Sequence, residues 1–137
     1  MTREEIKTNF EEQDKYAKLT GIKIDSVGEG KAVGHIDLRP EHLNGAGSVQ
    51  GGALFTLADS VCAAAANFGI DGIAVTLQSN VQYLRGASQG RLTATAHVAA
   101  PHPKLPSFTV EVTDSEGRQV FISTSIFYVK KPYQQKQ

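Results

Sequence analysis

Two periods organise the apolar positions of this chain, one near four residues and one of two. Residues 3–16 are mostly charged, with Ile6, Phe10 and Tyr16 as the few large apolar positions, which predicts a short N-terminal helix laying one side on the body. Ile22-Lys23-Ile24-Asp25-Ser26-Val27 alternates apolar with polar, as a half-buried strand does. Gly28-Glu29-Gly30-Lys31 supplies a turn, Ala32–Leu38 a second strand, and Pro40 ends it. A long loop rich in Gly and Asn covers Glu41 to Gly52. A central helix is predicted from about Gly52 to Asn67, with Gly69 as its stop. Only strands follow, over Ile73–Leu84, Arg91–Ala99, Ser107–Thr113 and Gln119–Val129. A Pro-rich break, Pro101–Pro106, separates the second and third of these, and Asp114-Ser115-Glu116-Gly117 joins the last two as a hairpin turn. On the first, Val75, Leu77, Val81 and Tyr83 are expected on one face. The polar tail from Lys130 is expected to fray.

At 100° per residue the central helix separates into faces. Leu54, Leu57, Ala58, Val61, Ala65 and Phe68 form the core stripe, and Thr56, Ser60 and Asn67 a narrow polar edge. Asp59 lies roughly opposite the stripe, with Gly52, Phe55, Cys62, Ala63 and Ala66. A surface helix would carry Lys and Glu there. Small and apolar residues instead predict a second covered face, with Asp59 pointing into the cover. One helix followed by antiparallel strands predicts an α+β fold in which a five- or six-stranded sheet curls round the helix. Such a sheet buries one side of the helix only, so the other side needs a partner, and a two-fold dimer is the common solution.

Asp59 is the one formally charged residue between Glu41 and Asp71. Burying an ion without partners costs several kcal/mol, roughly, and a catalytic role is one compensation. The Gly-rich segment Asn44–Gly52 leads straight into the same helix, whose first turn offers unpaired N–H groups and partial positive charge.

Composition narrows the possibilities further. With 137 residues, 40% of them hydrophobic and 20% charged, the chain is expected to be one globular domain over 1–137. Net charge is zero and the longest basic run is Lys130-Lys131, so no nucleic-acid footprint is visible. Cys62 is the only cysteine, which excludes an intrachain disulfide, and its alanine neighbours predict a core position. The polar start Met1–Glu5 does not resemble a signal peptide and no apolar run has membrane-spanning length, so a cytoplasmic protein without a membrane partner is expected. His35, His42, His97 and His102 lack metal-ligand spacing, so no metal is expected. No Gly-x-Ser-x-Gly elbow is present for a serine hydrolase.

The run formed by Asn44, Gly47, Val49, Gly51, Gly52, Leu54, Leu57 and Asp59 resembles the signature of hotdog-fold thioesterases of the phenylacetate-pathway (PaaI) type. Val75-Thr76 and Asn80–Ala87 also look like the strand that follows the helix in that family, and the likeness extends from about Leu19 to Val129. The resemblance implies hydrolysis of acyl-CoA thioesters, with coenzyme A as part of the substrate and no separate cofactor. It implies that Asp59 is the catalytic carboxylate, as base toward water or as nucleophile, and that the Gly51 N–H polarises the thioester carbonyl beside Gly52. Asn44 matches a polar position near the reacting carbonyl or water. Thr76 matches a hydroxyl that orients water, expected from across a dimer interface. Arg85, Arg91 and Lys104 could meet coenzyme A phosphates, with Arg85 and Lys104 the substrate-binding candidates. The family commonly has His before the Gly pair, where this chain has Gln50, which can contact a carbonyl but cannot shuttle a proton. The Pro-rich Pro101–Pro106 stretch is a second departure. The implied assembly is a homodimer or homotetramer. Two other readings use the same fold: a protein that binds acyl-CoA without turning it over, as sensor or carrier, and a dehydratase of hydroxyacyl thioesters, which pairs a His with a distant acid, a context that His42 does not have.

Overall fold

The computed structural model describes residues 1–131. The chain forms α1 (Arg3–Thr8), a π turn (Asn9–Gln13), α2 (Lys15–Thr20), β1 (Lys23–Gly28), β2 (Lys31–Asp37), a 3₁₀ turn (Pro40–His42), α3 (Gly51–Asn67), β3 (Ile73–Tyr83), β4 (Arg91–Ala100), β5 (Ser107–Thr113) and β6 (Gln119–Lys130). The expected strands and central helix are all present, with ends displaced by a residue or two. Beyond Lys131, the tail expected to fray lies outside the described residues.

The six strands form one sheet in the order β1-β2-β4-β5-β6-β3, antiparallel throughout. It wraps α3, and the core is their shared interior. Leu57 and Val61 on the helix and Ile36, Leu92, Val110, Val112, Phe121 and Phe127 on the strands are almost wholly buried. Alternation in each strand dictates which side chains point in. On β4 the inward positions are Leu92, Ala94 and Ala96, all buried, and the two alanines let the sheet curl close to the helix. At Gly34 on β2 a Cβ would lie 2.7 Å from both the Lys23 carbonyl oxygen and Val61 Cγ2. No larger residue fits there.

The N-terminal helix is longer than expected and broken. Thr2 and Glu5 form a capping box on α1, and Asp14 caps α2 by accepting from the Ala17 N–H at 3.0 Å. Lys7 donates to the Ile24 carbonyl and Glu11 accepts from the Ile24 N–H, which docks this segment on the outer edge of β1.

Two expectations about faces are corrected. On β3 the register slips between Thr76 and Gln78, leaving Leu77 as a bulge. One extra residue inverts the alternation beyond it. Ala74, Thr76, Ser79, Val81 and Tyr83 therefore face the helix side, while Val75 and Leu77 point outward. On α3, Cys62 and Ala66 were assigned to the partner-covered face, and Ser60 and Asn67 to a polar edge, yet all four are buried within the one chain. The sheet encloses a wider arc of the helix than a flat sheet would. Burial pushes the Cys62 thiol far above its ordinary pKa, an inert core position.

Candidate active site

The first turn of α3 is built by its own neighbours. Gln50 is the N-cap: its side-chain Oε1 accepts from the Gly52 N–H at 2.7 Å, and its carbonyl accepts from Ala53 and Leu54. The Gly51 N–H, first in the helix, has no acceptor among the described residues. Asn44 shapes the preceding loop. Its Oδ1 accepts from the Ala46 and Ser48 N–H groups at 2.9 and 3.1 Å, an Asx-type turn. The loop is then tied down by Gln50 N–H to the His42 carbonyl and Val49 N–H to the Ala87 carbonyl.

Asp59 lies two turns further along. It is half-buried, and the Thr76 hydroxyl donates to its Oδ1 at 2.9 Å. Burial pushes the Asp59 carboxyl above its ordinary pKa. The Thr76 hydrogen bond opposes that rise, and the charge of Asp14 adds to it. Thr76 reaches Asp59 within the same chain, which corrects the expectation that it comes from a partner. The loop after α3 is short, and buried Asn67 at the helix end bonds the backbone of Ala74, so β3 runs back along the helix with Thr76 beside Asp59.

Gly51 stands differently. It precedes Asp59 by eight residues on one helix, a rise of about 12 Å at 1.5 Å per residue. One thioester carbonyl group cannot meet the Gly51 N–H and the Asp59 carboxylate of a single chain.

Two clefts flank the helix start. One, of about 670 Å³, is lined by Tyr16, Leu19, His42, Gln50, Gly52 and Ala53. The other, of about 390 Å³, is lined by Gly51, Leu54, Tyr83, Leu84 and Arg85. Arg85 is thus brought to the glycine turn. Lys104 is not: its Pro-rich loop borders a third cleft at Ala65, Ala66 and Phe68, the far end of a 17-residue helix about 25 Å long. Arg91 pairs with Asp37 on the outer sheet face at 2.8 Å. His42 is buried with both ring nitrogens committed. Nδ1 accepts from the Arg39 N–H at 2.9 Å and Nε2 donates to the Thr20 carbonyl at 2.7 Å, an arrangement that leaves no nitrogen for acid–base work. Among the described residues no three His, Cys, Asp or Glu side chains form a group that could hold a metal ion, and no helix is long and apolar enough to cross a membrane.

Sequence reasoning passed over Asn67 and Tyr83. The signal for Asn67 was a polar side chain closing an alanine run in a buried helix. Tyr83 was read only as one of the apolar face with Val75, Leu77 and Val81; its contact with Gly51 depends on the β3 bulge, which alternation does not show.

A helix wrapped by a six-stranded antiparallel sheet, with a carboxylate in its middle and glycines at its start, defines a hotdog fold of the thioesterase kind. The chain belongs to the thioesterase superfamily, whose family model matches residues 46–121. It is 35% identical to acyl-coenzyme A thioesterase PaaI of Escherichia coli over 80% of this chain and 78% of that one. The solved structure of that E. coli PaaI protein superposes with a TM-score of 0.83, at 32% identity over 87% of this chain and 86% of that one. A hypothetical thioesterase from Streptococcus pneumoniae, solved with coenzyme A, superposes with a TM-score of 0.75, at 28% identity over 82% of this chain and 88% of that one.

Proposed function

We propose that this protein hydrolyses acyl-CoA thioesters in a site shared between two copies of the chain. The observation that carries the reading is the half-buried Asp59 carboxylate, held by Thr76 on a helix whose first N–H has no acceptor among the described residues. The 12 Å offset of Gly51 from Asp59 is resolved when Asp59 of one copy faces Gly51 of the other across a two-fold axis. The pairing edge is β3. It closes one end of the sheet order, and Ile73, Val75 and Leu77 along it are exposed by 36–59%. A long apolar edge strand is a template for another strand, so the active species is a homodimer at least.

In that site the Asp59 carboxylate takes a proton from water and the oxygen attacks the thioester carbon. The Gly51 N–H of the second copy stabilises the oxyanion that forms. Collapse expels the coenzyme A thiolate, a good leaving group since a thiol has a pKa of about 8.5, and the proton on Asp59 passes to it. A direct attack by the carboxylate, followed by hydrolysis of the anhydride, uses the same atoms. Arg85, exposed in the same cleft as Gly51, meets the coenzyme A phosphates in this reading. Gln50 offers its Nε2 to the thioester oxygen, and Asn44 acts through the loop that carries Gln50. Lys104 has a place in such a site only if the partner's Pro-rich loop reaches it.

Release of free thiol from hexanoyl-CoA and phenylacetyl-CoA tests the reading, with Asp59→Asn as the control. Thiol release by the parent at over about 10² times the rate of Asp59→Asn supports it. Binding of both without release would favour the carrier reading instead.

A further inference from the structure

Tyr83 has no part in the mechanism above, yet it is tied into the first turn of α3. Its ring is braced edge-on by buried Phe121, with centroids 5.4 Å apart and planes at 70°. It also occupies the space a side chain at position 51 would need: a Cβ on Gly51 would lie 3.2 Å from Tyr83 Cε1 and Cζ. Its hydroxyl donates to the Gly51 carbonyl at 3.2 Å. That carbonyl shares a peptide group with the Gly52 N–H, which donates to Gln50 Oε1 at 2.7 Å. An N–H only donates, so the carboxamide oxygen faces Gly52 and the Gln50 NH₂ is turned away from the peptide.

We propose that Tyr83 is a positioning residue for Gln50, acting through the Gly51–Gly52 peptide to hold the Gln50 NH₂ toward the thioester oxygen. The inference rests on the thioesterase reading and adds to it a device by which this chain uses an amide before its glycine pair. Hydrogen bonds in series through one peptide polarise each other. The Tyr83 donor strengthens the Gly52 N–H, which grips Oε1, and the carboxamide in turn presents a better donor. Without the hydroxyl the Gln50 side chain is free to leave its cap and aim elsewhere.

The test compares Tyr83→Phe, Gln50→Ala and the double variant on whichever of hexanoyl-CoA and phenylacetyl-CoA the parent hydrolyses faster. Tyr83→Phe keeps the ring and removes only the hydroxyl. Its kcat should fall about 2- to 10-fold, the size of one neutral hydrogen bond, with KM little changed. In the Gln50→Ala background the same change should have almost no effect. The side-chain NH₂ resonance of Gln50, identified by its loss in Gln50→Ala, should shift in Tyr83→Phe while distant backbone signals stay in place. Losses that multiply independently, or an unmoved Gln50 resonance, overturn the proposal and leave the thioesterase reading standing. A parent that releases no thiol overturns that reading, and the resonance still decides whether Tyr83 holds Gln50.

Discussion

Asn67 and Ala74 bond to each other twice: Asn67 Oδ1 accepts from the Ala74 N–H at 2.9 Å, and Asn67 Nδ2 donates to the Ala74 carbonyl at 3.1 Å. The same Nδ2 donates to the Ala63 carbonyl at 2.8 Å. One buried amide thus joins the end of α3 to the start of β3, two residues before Thr76. Asn67→Ala strands the Ala74 backbone groups and should cost about 2–3 kcal/mol, since an unsatisfied buried donor costs about 1–3 kcal/mol by itself. Urea unfolding measures this. Thiol release should fall too, under conditions where the variant is fully folded, because Thr76 loses its fixed place beside Asp59. A folded Asn67→Ala with parental activity would separate the amide from the site.

The raised pKa of Asp59 has a definite sign for stability. Below the unfolded-state value both states hold the proton and the favourable term is fully present. It is lost as pH rises through the folded value, so the ionised Asp59 destabilises the fold. Asp59→Asn cannot ionise and still offers an oxygen to Thr76. It should melt at a higher temperature than the parent at pH 7, with the gap closing in acid, while turnover drops by at least about 10². Thr76→Val removes the bond that lowers this pKa, so the acid limb of kcat/KM should move to higher pH. A rate–pH profile with an unmoved limb would remove Asp59 as the titrating base.

The proposed shared site predicts the outcome of a complementation test. Asp59→Asn and Gly51→Val should each be inactive, the second because its side chain collides with the Tyr83 ring. Mixed and reassociated, random pairing leaves one intact site in each heterodimer, so about a quarter of parental activity should return. No recovery, with exchange confirmed by mass spectrometry, would put both groups in one chain. Leu77→Lys on the β3 edge should shift sedimentation toward the 14.7 kDa monomer and abolish turnover with it.

Gln50 contributes a neutral hydrogen bond in this reading. Gln50→Ala should therefore lower kcat by a factor of roughly 2–13, far less than Asp59→Ala. Gln50→His should keep or raise activity and add a pH dependence between about 6 and 7, where imidazole titrates. If Gln50→Ala is as damaging as Asp59→Ala, the amide is central to the chemistry. If neither substitution changes any kinetic constant, residue 50 lies outside the site.

Local pattern determined the six strands and the central helix, because helix and strand periods and turn residues are written in neighbouring positions, but it did not show the break in the N-terminal helix. The run from Ile73 to Tyr83 alternates well enough to be read as a strand, and the Leu54–Leu57–Val61 stripe marks the helix face that the sheet covers. Asp59 stood out because charge is absent around it. The motif from Asn44 to Asp59 then identified the family. Tertiary structure decided what depends on register and distance. A bulge at Leu77, invisible in the alternation, turned Tyr83 toward Gly51 and kept Thr76 on the side of Asp59. The curl of the sheet buried Cys62 and Ala66 that a flat sheet would have left for a partner. The rise of the helix separated Gly51 from Asp59, two residues that the one motif joins in a single site. A sequence motif records which residues a site needs, but three-dimensional spacing settles which of them one chain can bring together.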